Sequence, residues 1–405
     1  MSKKFTLFYF LLFTFLGSAY AMHTLVPFAN SAWVHDLTVD QKGNVTGAHP
    51  GQFLAILQAY NQGATPGHQI GMLFTYVGHI QITPNNVVLN YFPVDSTVTN
   101  AANNWLPGSN NGMQSVQAYS KLTLNGQGNG QPILNFVDIV AALDSTSLAD
   151  LTGIHQMNTF SKKLALHFAD NVAKKLCANA MIDGVQFDIE PFTFKGSNKS
   201  GLGRGQQYFY TEIAKDLAGY HHSGNIDAFN CRNANHPQGR YLSVVASVSE
   251  VQGEGQQIAA VMNKYGNGFV VVAIHGVIHL HNGVAVNPAI LHANAEKQAA
   301  ILVKAADKFQ IPYQIVIPAS GIENMFECNK SPKDGCQYSG YDQIDYVKAT
   351  MTAISDSGAR NDPLFKGVAV YAFFQGSFIH QNVLLPSNPT LDKKQQLIAY
   401  LQKNL

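Results

Sequence analysis

Short apolar runs alternate with longer amphipathic stretches along most of the chain. The short runs are rich in β-branched residues and predict eight strands, at Thr24–Asn30, Gln69–Tyr76, Ile133–Val140, Gly184–Ile189, Tyr241–Ser247, Phe269–Val277, Gln314–Pro318 and Gly367–Phe374. Helical periodicity predicts helices between several of them, at Pro50–Gln62, Thr159–Ala178, Gly205–Tyr220, Pro288–Lys308, Tyr341–Ser357 and Asp392–Lys403. This alternation indicates a parallel α/β fold, and the number of strands favours a closed (β/α)8 TIM barrel.

Two polar stretches interrupt this rhythm. Asn85–Gly130 is rich in Asn, Gly and Ser and is too long for an ordinary connection. It predicts an elaborated loop with short strands of its own. Lys195–Gly205 is a second Gly-rich segment, directly after the fourth predicted strand. No repeat or interdomain linker is visible in the sequence, so residues 22–405 are expected to form one catalytic barrel domain with elaborated loops.

The N-terminus has the pattern of a signal peptide. Lys3 and Lys4 precede the apolar run Phe5–Leu16, and Ala19–Ala21 has the small residues that signal peptidase reads. The run is shorter than the about 20 residues that a membrane span needs. We therefore expect a signal peptide over residues 1–21, a secreted or periplasmic protein, and no membrane span.

Composition excludes some classes of partner. The chain is 46% hydrophobic and only 13% charged, with a formal net charge of +1 and no basic run. Nucleic-acid and anionic-membrane partners are therefore not expected. The many Asn, Gln, Ser, Thr, Gly and Tyr residues suit hydrogen bonding to neutral ligands such as sugars. A monomer is expected.

The chain has four cysteines, and an even number in an exported protein favours disulfides. Three pairings are possible, and the sequence alone does not select one. We prefer Cys328–Cys336, which closes a short loop, with Cys177–Cys231 as the second bridge.

The segment Asp183–Glu190 carries the strongest chemical signal. Alternate side chains of a strand share a face, so Gln186, Asp188 and Glu190 are expected to point into the barrel. Pro191 cannot continue the strand pairing and places Glu190 at the strand's C-terminal end, where such barrels have their active sites. Residues two apart lie about 6.5–7 Å apart along a strand. The charge of Asp188 would therefore help to keep Glu190 protonated, as a glycosidic leaving group requires.

The segment resembles the family 18 glycoside hydrolase signature, Asp-x-x-Asp-x-Asp-x-Glu, on the fourth strand of a (β/α)8 barrel. The preceding helix, through residues 168–172, is also similar to that family, and weaker similarity continues through residues 242–247, 315–321 and 367–371. The resemblance implies that Glu190 is the general acid and base, and that Asp188 orients the substrate's 2-acetamido group. It also implies that this group, rather than the protein, attacks the anomeric carbon.

Three further positions are assigned by the same resemblance. Asp183 is the first aspartate of the signature and is expected to bind substrate. Gln186 stands where the family has a further aspartate, and it is expected to orient Asp188 by hydrogen bonding. Tyr371 falls where the family often has the tryptophan beneath the sugar. The predicted function is therefore hydrolysis of β-linked N-acetylglucosamine glycans without a metal or organic cofactor.

Two other readings remain open. A glycan-binding protein could use the same barrel, although lectin-like relatives usually lose the catalytic glutamate that is present here. An unrelated glycosidase could use a second carboxylate such as Glu250 or Glu323. A metal site of His275, His279 and His281, with Glu250 or Asp138 as fourth ligand, matches no known ligand motif, so no metal is expected.

Overall fold

The computed structural model describes residues 24–35, 37–39, 45–48, 50–51, 53–83, 86–91, 113–125, 130–141, 161–189, 192–194, 204–221, 228–274, 287–318, 343–375 and 391–405. The strands of this part of the chain, in chain order, are β1 (Asn30–His35), β2 (Leu37–Val39), β3 (Val45–Ala48), β4 (Ile70–Thr83), β5 (Asn86–Tyr91), β6 (Leu134–Ala141), β7 (Gly184–Asp188), β8 (Tyr241–Ser247), β9 (Gly268–Ala273), β10 (Tyr313–Pro318) and β11 (Phe365–Gln375). The helices are α1 (Leu54–Gly63), α2 (Met113–Tyr119), α3 (Lys162–Cys177), α4 (Gly205–Leu217), α5 (Val248–Met262), α6 (Pro288–Phe309), α7 (Gln343–Asp356) and α8 (Leu391–Asn404).

Eight parallel strands form a closed barrel, as predicted. Their order is β1-β11-β10-β9-β8-β7-β6-β4, and pairing between β1 and β4 closes the ring. The helices alternate with the strands on the outside. The predicted (β/α)8 barrel is confirmed.

Additional short strands decorate the barrel. β2 and β3 pair antiparallel, and β5 pairs antiparallel with the extended end of β4. β5 and α2 lie within the polar stretch 85–130, so this insertion contains a strand of its own.

Local sequence signals explain where the outer helices begin. The Ser161 side chain accepts a hydrogen bond from the Leu164 backbone N–H and caps α3. α5 begins with a capping box, in which Ser247 and Glu250 each satisfy the other's backbone N–H. α6 has Asn287 as its N-cap and Pro288 in its first turn.

Two apolar cores follow from the alternation along the strands. Val185, Phe187 and Ile189 point outward and join the larger core between the strands and the outer helices. The interior core is aromatic, with Phe136 contacting the rings of Phe74, Tyr241 and Phe269.

A disulfide joins Cys177, the last residue of α3, to Cys231, 54 residues later. This confirms one of the two preferred bridges. Cys328, Cys336 and the predicted signal peptide lie outside the described residues. None of the described helices is long and apolar enough to span a bilayer.

Candidate active site

A row of polar side chains crosses four neighbouring strands in the barrel interior. Tyr76 on β4 pairs in register with Asp138 on β6, Asp138 pairs with Gln186 on β7, and Gln186 pairs with Ser243 on β8. The residues on either side of Asp138, Gln186 and Ser243 lie in the outer core, so these three side chains face inward. On β4, Phe74 belongs to the interior core, so Tyr76, two residues later, faces inward as well. One wall of the barrel interior therefore carries hydroxyl, carboxyl and amide groups.

Several atoms of this row are buried without a hydrogen-bond partner among the residues that the structure describes. They are both amide atoms of Gln186, Oδ1 of Asp138 and Oγ of Ser243. Gln186 and Ser243 are fully buried, and Asp138 is 2% exposed. A buried polar group without a hydrogen bond costs about 1–3 kcal/mol. Several together in one patch indicate a site built for a function rather than for stability.

The electrostatics of the patch centre on two carboxyl groups. Burial, and then the negative charge of Asp188, raises the pKa of Asp138 well above its ordinary value. Burial and the same two carboxylates also raise the pKa of the Tyr76 hydroxyl. Burial and Asp188 raise the pKa of Tyr210 on α4, which packs against Phe187. The arrangement can hold a neutral acid, Asp138, within the field of a carboxylate, Asp188.

Asp188 is the last residue of β7 and lies at the carboxyl end of the barrel. It is partly buried, whereas its neighbour Ile189 is 2% exposed and belongs to the outer core. The alternation predicted for the segment therefore holds through Ile189. Glu190 and Pro191 lie outside the described residues, so the role of Glu190 stays a prediction.

The chain directly after Pro191 is anchored to the outer helices. Glu254 on α5 accepts hydrogen bonds from the Thr193 hydroxyl at 2.8 Å and from the Phe194 backbone N–H at 2.5 Å. Gln206 on α4 accepts one from the Thr193 backbone N–H at 3.2 Å. Phe192 and Phe194 pack against the ring of Tyr210. These contacts fix the chain on the far side of Glu190.

Tyr371 lies on β11, across the barrel from β7. Strands β8, β9 and β10 separate the two on one side, and β6, β4 and β1 on the other. The Tyr371 ring is partly exposed and meets the buried indole of Trp33 edge-on, with 5.2 Å between ring centroids. An aromatic ring in this position can face a bound molecule from the side opposite Asp188.

Asp183 is separated from the other predicted site residues. It precedes β7 at the amino end of the barrel, the end opposite Asp188. Its carboxylate accepts a hydrogen bond from the Asn135 backbone N–H at 2.7 Å and lies 3.0 Å from His236 Nε2. These contacts tie β6 and β7 to the loop before β8. We interpret these Asp183 contacts as structural, because active sites of such barrels lie at the carboxyl end.

The remaining candidates divide between described and undescribed residues. Glu250 caps α5, where its carboxylate accepts a 2.6 Å hydrogen bond from the Ser247 backbone N–H. The residues His275, His279, His281 and Glu323 lie outside the part of the chain that the structure describes.

No protein-family model matches this sequence. A search of curated proteins finds no match either.

We describe three of the solved structures to which this chain is similar. One is a protein from Bacteroides thetaiotaomicron VPI-5482 that is provisionally described as an α-L-fucosidase, with a TM-score of 0.47 and 10% identity over 94% of each chain. The second is the C-terminal domain of a provisionally described chitinase from Desulfitobacterium hafniense DCB-2, with a TM-score of 0.47, 10% identity, and coverage of 93% of this chain and 100% of that one. The third is catalytic domain 2 of the Ostrinia furnacalis Group II chitinase, with a TM-score of 0.46, 8% identity, and coverage of 85% of this chain and 90% of that one.

The structure adds residues that sequence reasoning missed. Asp138 was considered only as a metal ligand, although its place on the inward face of β6 brings it beside Gln186. Tyr76 was the end of a predicted strand and had no chemical assignment. Glu254 carries no local signal, because its partners Thr193 and Phe194 are 61 and 60 residues away in the chain.

Proposed function

We propose that this protein is a secreted family 18-type glycoside hydrolase that cleaves β-linked N-acetylglucosamine glycans. The observation that carries the proposal is the pair of interacting carboxyl groups, Asp138 and Asp188, on adjacent barrel strands. Asp188 ends β7 on the inner wall, and the period-two alternation predicts Glu190 as the next inward residue after it. Neighbouring carboxyl groups with separated proton affinities are the usual basis of acid and base assignments in glycosidases.

In this proposal, Glu190 protonates the oxygen of the leaving sugar. Asp188 orients the substrate's acetamido group, whose carbonyl oxygen attacks the anomeric carbon and forms an oxazolinium intermediate. Glu190 then removes a proton from the incoming water, which opens the intermediate with net retention of configuration. No metal or organic cofactor takes part in these steps.

Asp138 replaces, from the neighbouring strand, the aspartate that the family signature has at the position of Gln186. It stays neutral because burial and the charge of Asp188 oppose its ionisation. A neutral Asp138 can take part of the negative charge of Asp188 by proton sharing as that charge changes during the reaction. Gln186 lies between the two strands' polar groups and supplies hydrogen bonds without a charge of its own.

Tyr371 is proposed as the surface on which the sugar ring packs. Aromatic rings offer an apolar face to a pyranose, and Trp33 holds this ring from its edge. A sugar bound at the mouth of the barrel would then have its scissile bond between the wall that carries Asp138 and Asp188 and the Tyr371 ring.

The test is hydrolysis of fluorogenic N,N′-diacetylchitobioside by the wild type, Glu190→Gln and the control Glu296→Gln. Glu296 lies on α6, so its variant makes the same chemical change away from the site. We expect activity in the wild type and control, and a loss of about 10³-fold or more in Glu190→Gln, since general acid catalysis contributes 10²–10⁴-fold.

The other outcomes are equally informative. Inactivity of all three proteins, with retained binding of chitooligosaccharides, would replace hydrolysis by glycan binding. Cleavage of a matched glucoside without the acetamido group, at a similar rate, would exclude the substrate-assisted mechanism.

A further inference from the structure

A second cluster of charged groups lies outside the barrel, between two outer helices. Asp170 is on α3, Asp216 is near the end of α4, and His221 follows α4. One ligand atom from each residue lies within 4.8 Å of the other two. The His221 Nε2 atom is 3.5 Å from Asp170 Oδ1. The cluster takes no part in the proposed hydrolysis.

Asp216 is the unusual member of this cluster. The residue is 1% exposed, and its described hydrogen-bonding neighbour is another carboxyl group, that of Asp170, rather than a donor such as a backbone N–H. The nearby cation, Lys215, lies 3.6 Å from Glu212. Glu212 and Asp170 place further negative charge close to Asp216. A buried carboxylate in acidic surroundings requires either a bound proton or a bound cation.

We propose that Asp170, Asp216 and His221 bind a divalent transition-metal ion of the zinc type. Two carboxylate oxygens and one imidazole nitrogen are a common ligand set for Zn²⁺, whereas Ca²⁺ takes oxygen ligands only. Zinc bonds of about 2.0–2.2 Å bring ligand atoms to within about 3.5 Å of one another. Small side-chain rotations would therefore bring the three ligand atoms from within 4.8 Å of one another to the spacing of a zinc site.

The ion would have a structural role in the outer layer. It would join α3 to the chain that follows α4, the same two segments that the Cys177–Cys231 disulfide links. The His221 ring already packs edge-on against Phe229, with 5.2 Å between centroids, and Phe229 is two residues before Cys231 in the chain. Metal and disulfide would then stabilise one helix pair at two points.

The competing state is a proton shared between Asp216 and Asp170, and metal titration separates the two. The protein without its predicted signal peptide is stripped with EDTA, dialysed and titrated with Zn²⁺ by calorimetry, and its melting temperature is measured with and without Zn²⁺. Asp216→Asn and His221→Gln remove one ligand each. Asp356→Asn is the matched control, because it breaks the 2.9 Å His292–Asp356 contact on other helices.

We expect one Zn²⁺ per chain and a raised melting temperature, both lost in Asp216→Asn and His221→Gln and both retained in the control. Absence of Zn²⁺ binding, or binding that the two ligand variants leave unchanged, would overturn the proposal in favour of the shared proton. Preferential Ca²⁺ binding that His221→Gln leaves intact would also overturn it. If Asp216→Asn does not fold, His221→Gln decides alone. Chitobioside hydrolysis is independent of this outcome.

Discussion

At the scale of single residues, the carboxyl group beside Asp188 is on a different strand from the one the sequence signature suggests. Asp138 and Gln186 are register partners on β6 and β7, so exchanging a carboxyl for an amide at Gln186 leaves an acid within the same patch. The site can therefore hold a proton on Asp138 although Gln186 stands where the family 18 signature has an aspartate.

Asp138→Asn is expected to lower kcat for chitobioside hydrolysis about 10–100-fold with little change in KM, because it removes the proposed proton partner of Asp188 and keeps the side-chain shape. Steady-state kinetics of the variant over a range of pH values test this. A purely structural Asp138 would instead leave kcat and its pH profile as in the wild type.

The same substitution has an effect on stability. The pKa of Asp138 is raised in the folded protein above its ordinary value of 3.8, so the folded state binds more protons than the unfolded state between these two pKa values. Its contribution is therefore fully present at low pH and is lost as pH rises through the folded pKa, by up to about 1.4 kcal/mol per pH unit.

We accordingly expect Asp138→Asn to gain stability relative to the wild type as pH rises from 4 to 8. Urea unfolding at several pH values measures the difference, with Asp356→Asn as a surface control. Parallel stability curves for wild type and Asp138→Asn would show that Asp138 does not titrate differently on folding.

The site was predictable only where the strand period decides it. Period-two alternation placed Gln186 and Asp188 inward and Ile189 outward. The same rule applied to Ile133–Val140 puts Asp138 inward, but nothing in a single sequence shows which strands are neighbours at the same height. Asp183 shows the opposite case. It belongs to the sequence motif, but it lies before β7, at the end of the strand opposite Asp188.

At the scale of elements, the helices and strands were predicted best where apolar periodicity is uninterrupted. The predicted Tyr241–Ser247 coincides with β8. The first strand was misplaced, since Thr24–Ala29 is not a strand and β1 begins at Asn30. Helix α5 was missed because its apolar face is diluted by Gly253 and Gly255. The Ser247-x-x-Glu250 capping box was the available signal.

Two glycines with opposite surroundings give a prediction about barrel packing. A Cβ on Gly184 would meet Phe136 ring atoms at 2.8 Å or closer, and that ring is held by three other aromatic rings. Gly184→Ala should therefore destabilise the protein by about 1–3 kcal/mol.

The matched variant is Gly253→Ala on α5, where an added Cβ has nothing within 4 Å. It should stabilise by up to about 1 kcal/mol, because alanine has the higher helix propensity. Denaturant unfolding of both variants measures these values. Equal effects at the two positions would contradict the described packing of Phe136.

At the scale of the whole molecule, the closed ring depends on pairs far apart in the sequence. β1 pairs with β4 on one side and with β11, near the other end of the chain, on the other. Counting the strands predicts such closure, and the polar composition of residues 85–130 predicts an insertion with short strands of its own. The sequence did not predict where β5 and α2 begin and end, because apolar periodicity is weak in this stretch.

The disulfide acts at this scale as well. Cys177 and Cys231 are both buried and close a loop of 54 residues, which in the chain-entropy model stabilises by about 4 kcal/mol. Replacing both cysteines by alanine should lower the unfolding free energy by an amount of that order, measured in guanidinium. Peptide mapping of the wild type checks the pairing first. An unchanged midpoint in the double variant would contradict a stabilising role.

The contact between Trp33 and Tyr371 also affects the intrinsic fluorescence of the protein. The chain contains two tryptophans, and Trp33 is 3% exposed between Phe74 and Tyr371. Its indole therefore emits from apolar surroundings, directly behind the ring that we assign to the sugar. With Trp105 replaced by phenylalanine, the fluorescence of the protein would come from this one indole. Ligand arrival at the barrel mouth would then be visible without any label.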